Sequence, residues 1–445
     1  MLIAWIAVLV YAFPGYMNYD VGQQLIEIRE GPVTDFHPPL MGGYWRVLEV
    51  FVCGPFPMLL LQTSLFAWGL YSLLRSRLDK RTSAWTSAAL LLFPPILTPM
   101  AMIWKDAQMS AFLVAGTALV LKRPTWARAA GVALFVIASG VRFNGGAALP
   151  LLCLVGAATW TSRGRLAALG IALALTLGAI ASARVVNDAL TEKPGHTWYR
   201  TTAIMDIVGT ICFAPPLSDA EILELLDGIE LKQTTAIQRA FCERYPAGKG
   251  VIGNPPWYAY SELFAFHPTK IDRQARMRAW RTLILKYPQA YLHHRMTISM
   301  DLLGVAHARV WEPVGQDFAG SEDQLRAIHH DHFHSWLQRH AGDAFRWLVE
   351  HTPLYRVFVY AVLCIVFFAW AVWKRDMLVL ALTGSGLLYE LSLAIGVNAP
   401  DFRYSHWLIT CTCVSAVLIV IARRDERRAA RETAAPPRSP DLGSR

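Results

Sequence analysis

The sequence is poor in charge and in cysteine, and it lacks both the common zinc-site motifs and any internal repeat. Only 17% of its 445 residues are charged, whereas 54% are hydrophobic. That balance is too apolar for one ordinary soluble domain of this length. No CxxC or HExxH spacing occurs, which removes the usual zinc signatures. The missing repeat argues against transporters built from duplicated halves.

Long apolar runs predict an all-α polytopic membrane protein with about ten transmembrane helices. Crossing the hydrocarbon core takes roughly 20 residues of helix. Several runs are shorter than that, so we expect those helices to be tilted, broken or re-entrant. The predicted spans are 2–17, 56–74, 84–101, 107–121, 128–142, 143–160, 166–186, 354–373, 377–398 and 404–422.

Lys and Arg residues collect in alternate short loops, which indicates the cytoplasmic side of the membrane. Both termini are predicted to be cytoplasmic. The net charge of +9 therefore reflects topology, and no nucleic-acid partner is expected. The first apolar run lacks a basic start and a small-residue cleavage site, so we expect it to be a retained helix. The residues that carry this signal are Arg75, Arg77, Lys80, Arg81, Lys122, Arg123, Arg128, Arg163, Arg165, Lys374 and Arg375.

Four regions follow from this pattern. A helical block at 1–186 contains a long first outer loop at 18–55, in which VGQQLIEIRE is expected to lie along the bilayer as an interfacial helix. A mainly helical extracytoplasmic domain at 187–352 separates the seventh and eighth spans, with helices expected at 218–228, 272–286 and 288–308. Closing helices occupy 353–423, and the tail at 424–445 is expected to be disordered.

Two of the seven cysteines fall in the predicted extracytoplasmic segment. Cys212 and Cys242 are candidates for a disulfide bond, because the bacterial envelope is an oxidising compartment. They could equally remain unpaired. The cysteines inside the spans are expected to be small buried hydrophobic residues.

Short polar motifs lie at the ends of apolar runs, and the predicted topology places all of them on one face of the membrane. The motifs are YDVGQQ, DFHPPL, WKDA, RFNGG and DFRYSH. Charged residues gather at a membrane surface where a site is built. This face is therefore the predicted position of a membrane-embedded site.

Acidic residues of the first outer loop are the first candidates. Asp20 follows the first run directly, and Asp35 and His37 lie in the same loop. A carboxylate at this boundary suits proton abstraction from a hydroxyl group or binding of a divalent cation. Asp is also a favoured helix cap, so a structural role for Asp20 stays equally open.

Lys105 and Asp106 form an adjacent pair between the third and fourth spans. Lys105 suits a phosphate group, and Asp106 suits a metal ion or the orientation of an acceptor. Their alternative role is capping, because an acidic residue at a helix start is stabilised by the helix dipole. We favour the functional interpretation for this pair.

Arginines occur in the last two motifs and in the extracytoplasmic segment. Arg142 presents a fork of donors that suits phosphate oxygens, and it stands with Asn144 in a glycine-containing turn. Arg403 and Tyr404, which follow Asp401, suit a lipid phosphate or a sugar, although Tyr404 also fits an aromatic belt. Arg295 is a further candidate contact, on a predicted helix that also suits a solvated face.

Taken together, these motifs resemble the large membrane glycosyltransferases of the GT-C fold, which use polyprenyl-phosphate-linked sugars. The likeness is to the mannosyltransferase and aminoarabinose-transferase type and their uncharacterised bacterial relatives. It covers most of the chain and depends on the order of the motifs and their common side.

The resemblance implies a catalytic base in the first outer loop, for which Asp20 is the closest position and Asp35 the second. It implies that Asp106 assists catalysis. Binding of the donor phosphate would fall to Lys105, Arg142 and Arg403. The loop lacks the Asp-Glu or Asp-Asp pair common in relatives, which leaves the need for a divalent cation open.

The implied activity is inverting transfer of a sugar from a polyprenyl-phosphate donor on the extracytoplasmic face of a bacterial inner membrane. The acceptor would be lipopolysaccharide, another envelope glycan, a lipid or a protein. Two other classes stay open. A lipid or sugar transporter should carry polar residues through its span interiors, and a non-catalytic envelope assembly protein should tolerate Asp20→Ala.

Overall fold

A computed structural model describes residues 1–195, 201–245, 263–265, 270–305, 335–397 and 400–434. In this part of the chain every regular element is a helix, and β-structure is limited to isolated bridges. The predicted all-α polytopic membrane fold is confirmed.

Ten helices and one 3-10 turn form the N-terminal block. The turn, at Gly145–Ala148, directly precedes the helix that begins at Leu149. The helices are α1 (Leu2–Ala12), α2 (Tyr19–Glu30), α3 (Pro39–Glu49), α4 (Phe56–Leu74), α5 (Lys80–Leu92), α6 (Pro94–Met100), α7 (Lys105–Val120), α8 (Thr125–Val141), α9 (Leu149–Trp160) and α10 (Arg165–Leu190).

The closing helices follow a 3-10 turn at Pro353–Tyr355. They are α17 (Val357–Lys374), α18 (Met377–Gly396) and α19 (His406–Ala434), with a further 3-10 turn at Phe402–Ser405 before α19. We expected a disordered tail from 424, but α19 continues to Ala434 because this stretch is rich in the strong helix formers Arg, Glu and Ala. The rest of that tail, 435–445, lies outside the described residues.

Every predicted span contains helix, but only five stretches in the described part of the chain are long and apolar enough to cross a membrane. The five are Phe56–Leu74, Arg165–Leu190, Val357–Lys374, Met377–Gly396 and Phe402–Arg427. The helices in the other predicted spans are shorter than a full crossing requires. The run at 84–101 is broken between α5 and α6 because Pro94 and Pro95 start a new helix after Phe93.

The first outer loop is largely helical. The predicted helix VGQQLIEIRE forms α2, but Val21, Leu25 and Ile28 are buried within the protein. Its apolar side therefore packs on neighbouring helices rather than facing the bilayer. The next helix, α3, begins at Pro39, a residue favoured at that position.

Six helices lie in the described part of the segment that is predicted to be extracytoplasmic. Helices were predicted at 218–228, 272–286 and 288–308. The structure has them at Asp219–Leu225 (α12), Lys270–Lys286 (α14) and Pro288–Leu302 (α15), and residues 306–308 lie outside the described part. A disulfide bond joins Cys212, at the end of α11, to Cys242 in α13. The six are α11 (Thr202–Phe213), α12 (Asp219–Leu225), α13 (Ile237–Arg244), α14 (Lys270–Lys286), α15 (Pro288–Leu302) and α16 (Trp336–His351).

Backbone contacts bring the first outer loop to the start of α7. The Tyr16 amide donates to the Ala101 carbonyl at 3.3 Å, and the Ile103 amide donates to the Tyr16 carbonyl at 2.9 Å. The buried Gln62 amide donates to the Met100 and Met102 carbonyls, each at 2.8 Å. The connection from α1 to α2 is thus fixed beside the connection from α6 to α7, where the polar motifs begin.

Candidate active site

Asp20 and Arg403 meet at the centre of a polar cluster. Nη2 of Arg403 lies 3.5 Å from the Asp20 carboxylate, and Nε of Arg403 lies 3.0 Å from that of Asp401. Arg403 and Asp401 are buried, whereas the Asp20 side chain is 33% exposed. Asp20 is therefore the carboxylate of this trio that a bound molecule can reach.

Lys105 contacts a second residue of the first outer loop. Its ammonium group lies 2.8 Å from Nδ1 of His37, which is buried. An ammonium group only donates hydrogen bonds, so Nδ1 of His37 accepts. Burial, followed by the charge of Lys105, lowers the pKa of His37 to about 3. The imidazole is therefore neutral near pH 7 and leaves the positive charge of Lys105 uncancelled.

Asp106 and Arg142 form a buried ion pair between the start of α7 and the end of α8. Nη2 of Arg142 lies 3.1 Å from the Asp106 carboxylate, and Nε of Arg142 donates to the Tyr389 hydroxyl at 3.4 Å. Tyr389 belongs to α18. The consecutive helices α7 and α8 are therefore tied at this point to α18, which is distant in sequence.

The Tyr404 ring connects the two arginines. It lies 4.6 Å from the Arg142 guanidinium and 5.1 Å from that of Arg403, measured to the ring centroid. Arg403 also stands 4.6 Å from the centroid of the Trp104 ring. Cation–π contacts of this kind hold a guanidinium plane in place while leaving its N–H groups available to acceptors.

Opposite effects set the charge of the two carboxyl groups beside Arg403. Burial would raise the pKa of Asp20, but the positive charges of Arg403 and Lys105 hold it below its ordinary value. Asp401 is more deeply buried, and that burial raises its pKa to about 6 against the opposing effect of Arg403. Asp20 is therefore ionised near pH 7, whereas Asp401 exchanges its proton close to neutrality.

Neither Asp20 nor Asp106 caps its helix through a side-chain hydrogen bond, although both lie in a first turn, where the helix dipole stabilises a negative charge. The Asn18 side chain caps α2 by accepting from the Val21 amide at 3.2 Å, while Asp20 lies in the first turn. Trp104 precedes α7 without a side-chain cap, and Asp106 pairs with Arg142. Both acidic side chains are directed to cations of other elements.

Asn144 and the two glycines after it support the helix packing. The Asn144 amide donates to the Ser392 hydroxyl at 3.1 Å. A Cβ atom on Gly145 would lie 2.6 Å from the Ala138 carbonyl oxygen, and one on Gly146 would lie 2.6 Å from Ile180. The glycines thus allow close approach, as predicted, but to the protein's own helices.

Two predicted residues lie apart from the cluster contacts. Asp35 accepts from the Gly195 amide and so joins the first outer loop to the start of the extracytoplasmic segment. Arg295 is buried, pairs with Asp206 at 2.6 Å and donates to the Val397 carbonyl at 2.9 Å. Its guanidinium is thereby committed to internal partners instead of the solvated face considered above.

Sequence reasoning missed Trp104 and Tyr389, both of which contact the arginines. Trp104 immediately precedes Lys105 in the WKDA motif, a position that gave a usable signal. Tyr389 lies within a predicted span and has no sequence neighbour that marks it. In the described part of the chain, no group of three or more His, Cys, Asp and Glu side chains is arranged to hold a metal ion.

No protein-family model matches the sequence, and no curated protein matches it. Among solved structures, the chain is similar to ArnT from Cupriavidus metallidurans bound to undecaprenyl phosphate. The sequences are 15% identical, the TM-score is 0.32, and the match covers 93% of this chain and 76% of that chain.

Proposed function

We propose that the protein is an integral membrane glycosyltransferase that moves a sugar from a polyprenyl-phosphate donor to an acceptor hydroxyl on the extracytoplasmic face of a bacterial inner membrane. The supporting observation is the polar cluster formed at the starts of α2 and α7, the end of α8 and the turn before α19. It combines one partly exposed, ionised carboxylate, that of Asp20, with the positive charges of Lys105 and Arg403.

Asp20 is assigned as the general base. The acceptor oxygen attacks the anomeric carbon of the sugar while the bond from that carbon to the phosphate oxygen breaks. The acceptor proton passes to the Asp20 carboxylate, and the polyprenyl phosphate leaves with the bonding electrons. A single displacement inverts the anomeric centre and needs no covalent intermediate on the enzyme.

The charge of the cluster suits one phosphate group. Three cations, those of Lys105, Arg142 and Arg403, face three carboxyl groups, those of Asp20, Asp106 and Asp401. The cluster is neutral when Asp401 is ionised, and protonation of Asp401, whose pKa is about 6, leaves one positive charge in excess. A phosphodiester carries one negative charge, so a bound donor balances the cluster.

The basic residues of the cluster are assigned different roles. Lys105 and Arg403 are assigned to the departing phosphate, where positive charge stabilises the transition state. The only hydrogen-bond partner of Lys105 among the described residues is the neutral His37. Arg142 is ion-paired with the buried Asp106 and stacked on Tyr404. We therefore assign Arg142, Asp106 and Tyr404 to positioning Arg403, and Asn144 to holding the turn.

Mass spectrometry of envelope glycans and polyprenyl-linked sugars tests the proposal in cells carrying the wild type, a deletion, Asp20→Asn or Asp35→Asn. We expect the deletion and Asp20→Asn to lose one glycan modification and to accumulate its donor. Loss of a general base reduces turnover by about 10²- to 10⁴-fold. Asp35→Asn, the matched control, should retain the modification, because its carboxylate binds the Gly195 amide.

The outcomes separate the alternatives when protein level and membrane insertion are normal. A defect in Asp35→Asn but not in Asp20→Asn would move the base to Asp35. A deletion phenotype without a phenotype in either variant would favour an assembly role. No change in any glycan or donor pool would contradict the transferase proposal itself.

A further inference from the structure

A cavity of about 400 Å³ lies between α4 and α7, at the end of α7 opposite to the polar cluster. The cluster residues Lys105 and Asp106 begin α7, whereas Ala118, Leu121 and Lys122, at and just beyond its other end, line the cavity. At 1.5 Å per residue, the two ends of this helix are roughly 20 Å apart. The cavity is therefore separate from the candidate active site.

Close packing of α4 on α7 precedes the cavity along both helices. A Cβ atom on Gly69 would lie 2.7 Å from Val114 and 2.8 Å from the Ala115 amide nitrogen, so the two backbones are in direct contact there. One turn further on, Ser72 and Leu73 of α4 face Ala118 of α7 across the open space. The cavity thus has a closed floor at Gly69 and opens toward the ends of both helices.

Two cations stand at this opening. The Lys122 ammonium lies 4.9 Å from the centroid of the Trp68 ring, and the exposed Arg75 guanidinium donates to the Leu78 carbonyl. Across the described part of the chain, neither cation is within ion-pair distance of a carboxylate. The nearby Asp79 already accepts from the Arg81 and Thr82 amides.

The walls combine charge, hydroxyl groups and aromatic rings. The hydroxyl-bearing residues Ser72 and Ser76 and the Trp68 and Tyr71 rings line the same space as Leu73. Trp and Tyr are typical of the level of lipid headgroups, and basic pockets between membrane helices suit anionic headgroups. A soluble anion would leave the apolar part of these walls without a partner.

We propose that this cavity binds the headgroup of an anionic phospholipid, with the phosphate between Arg75 and Lys122 and the glycerol backbone against Trp68 and Leu73. The surrounding loops at 75–81 and 122–128 carry further Lys and Arg residues. These further basic residues do not line the cavity, but their charge attracts anionic lipid to this face.

Native mass spectrometry of the full chain, purified in mild detergent with equimolar phosphatidylglycerol and phosphatidylcholine, tests this site. We expect the wild type to retain phosphatidylglycerol preferentially. We expect each basic residue that contacts the bound headgroup to contribute about fivefold to anionic lipid binding. The double variant Arg75→Ala with Lys122→Ala should therefore bind phosphatidylglycerol roughly 20-fold more weakly.

Arg123→Ala is the matched control, because Arg123 is an exposed neighbour that does not line the cavity. It should change binding by less than about twofold, since only a diffuse field is altered. Ser72→Trp is a second variant that fills the cavity while keeping both charges, and it should also lose the bound lipid. Thermal unfolding in the same detergent identifies folded variants.

Three results would overturn the proposal. Equal retention of the two lipids would show that the site has no preference for an anionic headgroup. An equal loss in Arg123→Ala and in the double variant would assign binding to general surface charge. Complete displacement of the lipid by inorganic phosphate would identify a soluble anion as the ligand.

Discussion

Nη2 of Arg403 lies 3.5 Å from the Asp20 carboxylate, although these residues stand near opposite ends of the chain. The contact closes the polar cluster between the first outer loop and the turn before α19. It also couples the charge of the assigned base to the cation assigned to the departing phosphate. A change at either residue should therefore alter both base strength and donor binding.

Arg403→Gln should raise the lower pH limit of sugar transfer. Arg403 is the largest influence that lowers the pKa of Asp20, while burial acts to raise it. Without Arg403 the Asp20 carboxyl takes up a proton at higher pH, so activity is lost earlier as the pH falls. Loss of a charged hydrogen bond should also weaken donor binding by about 10- to 100-fold.

The pH profile of kcat and the KM for the donor measure these two effects separately. Arg184→Gln is a suitable control, because Arg184 is exposed and pairs only with the exposed Asp188 among the described residues. A profile in Arg403→Gln that keeps its wild-type acid limb would show that Arg403 does not control the ionisation of Asp20.

Asp401 should make donor binding stronger in mild acid. Its pKa is raised to about 6 by burial, and its charged neighbours are Arg403, Asp106 and Asp20. As the pH falls through 6, the carboxylate beside Arg403 becomes neutral and the cluster gains positive charge. The KM for an anionic donor should then decrease.

Asp401→Asn is neutral at every pH and should fix this state. We expect a low KM for the donor at both pH 5 and pH 8, without the change that the wild type shows near pH 6. The amide keeps the size of the side chain. A variant that retains the wild-type pH dependence of KM would place the titrating group elsewhere.

Asp106→Asn should destabilise the protein more than it alters donor affinity. The Asp106 side chain is 2% exposed and pairs with Arg142. Removing one partner of a buried ion pair leaves the other charge uncompensated and costs about 3–5 kcal/mol. Thermal unfolding in detergent should show this loss, whereas Asp188→Asn, at an exposed pair, should change little.

A double-mutant cycle with Arg142→Gln isolates the ion pair from other contacts. We expect the double variant to be more stable than Asp106→Asn alone, because no unpaired buried charge remains. If the two single changes were additive, Asp106 and Arg142 would not stabilise the helix ends as a pair.

Much of the cluster was predictable because its residues punctuate apolar runs. Four charged residues interrupt a hydrophobic pattern at a helix end, where an ionised side chain is costly and therefore indicates a site. They are Asp20, Lys105, Arg142 and Arg403. Their pairing was not predictable. Which carboxylate meets which cation depends on tertiary contacts, such as the hydrogen bond from the Ile103 amide to the Tyr16 carbonyl.

Other features left no local pattern in the sequence. The burial of Val21 and Leu25 depends on how α2 packs against other helices, among them α3, and not on the pattern of α2 itself. Tyr389 appears in sequence as one more aromatic residue of a span. The true partners of Asp35 and Arg295 are Gly195 and Asp206, which no spacing rule connects to them.

Asp206 should be required for the stability of the segment that contains α11 and α15. Its side chain is 1% exposed and lies 2.6 Å from Arg295 and 3.1 Å from Nε2 of His294. A carboxylate only accepts, so Nε2 of His294 donates and its Nδ1 accepts the Tyr245 hydroxyl at 2.7 Å. Asp206→Asn should cost about 3–5 kcal/mol, because it leaves Arg295 buried without a counter-charge.

His294 should give this network a distinct pH dependence. Burial lowers its pKa in the folded protein despite the opposing effect of Asp206. The folded state therefore resists a proton that the unfolded chain takes up near pH 6.5, and stability should fall as the pH drops below that value. His294→Gln should flatten the dependence of the unfolding temperature on pH between 7 and 5. Replacement of the exposed His340 by Gln is the control, and an equal flattening there would contradict the assignment to His294.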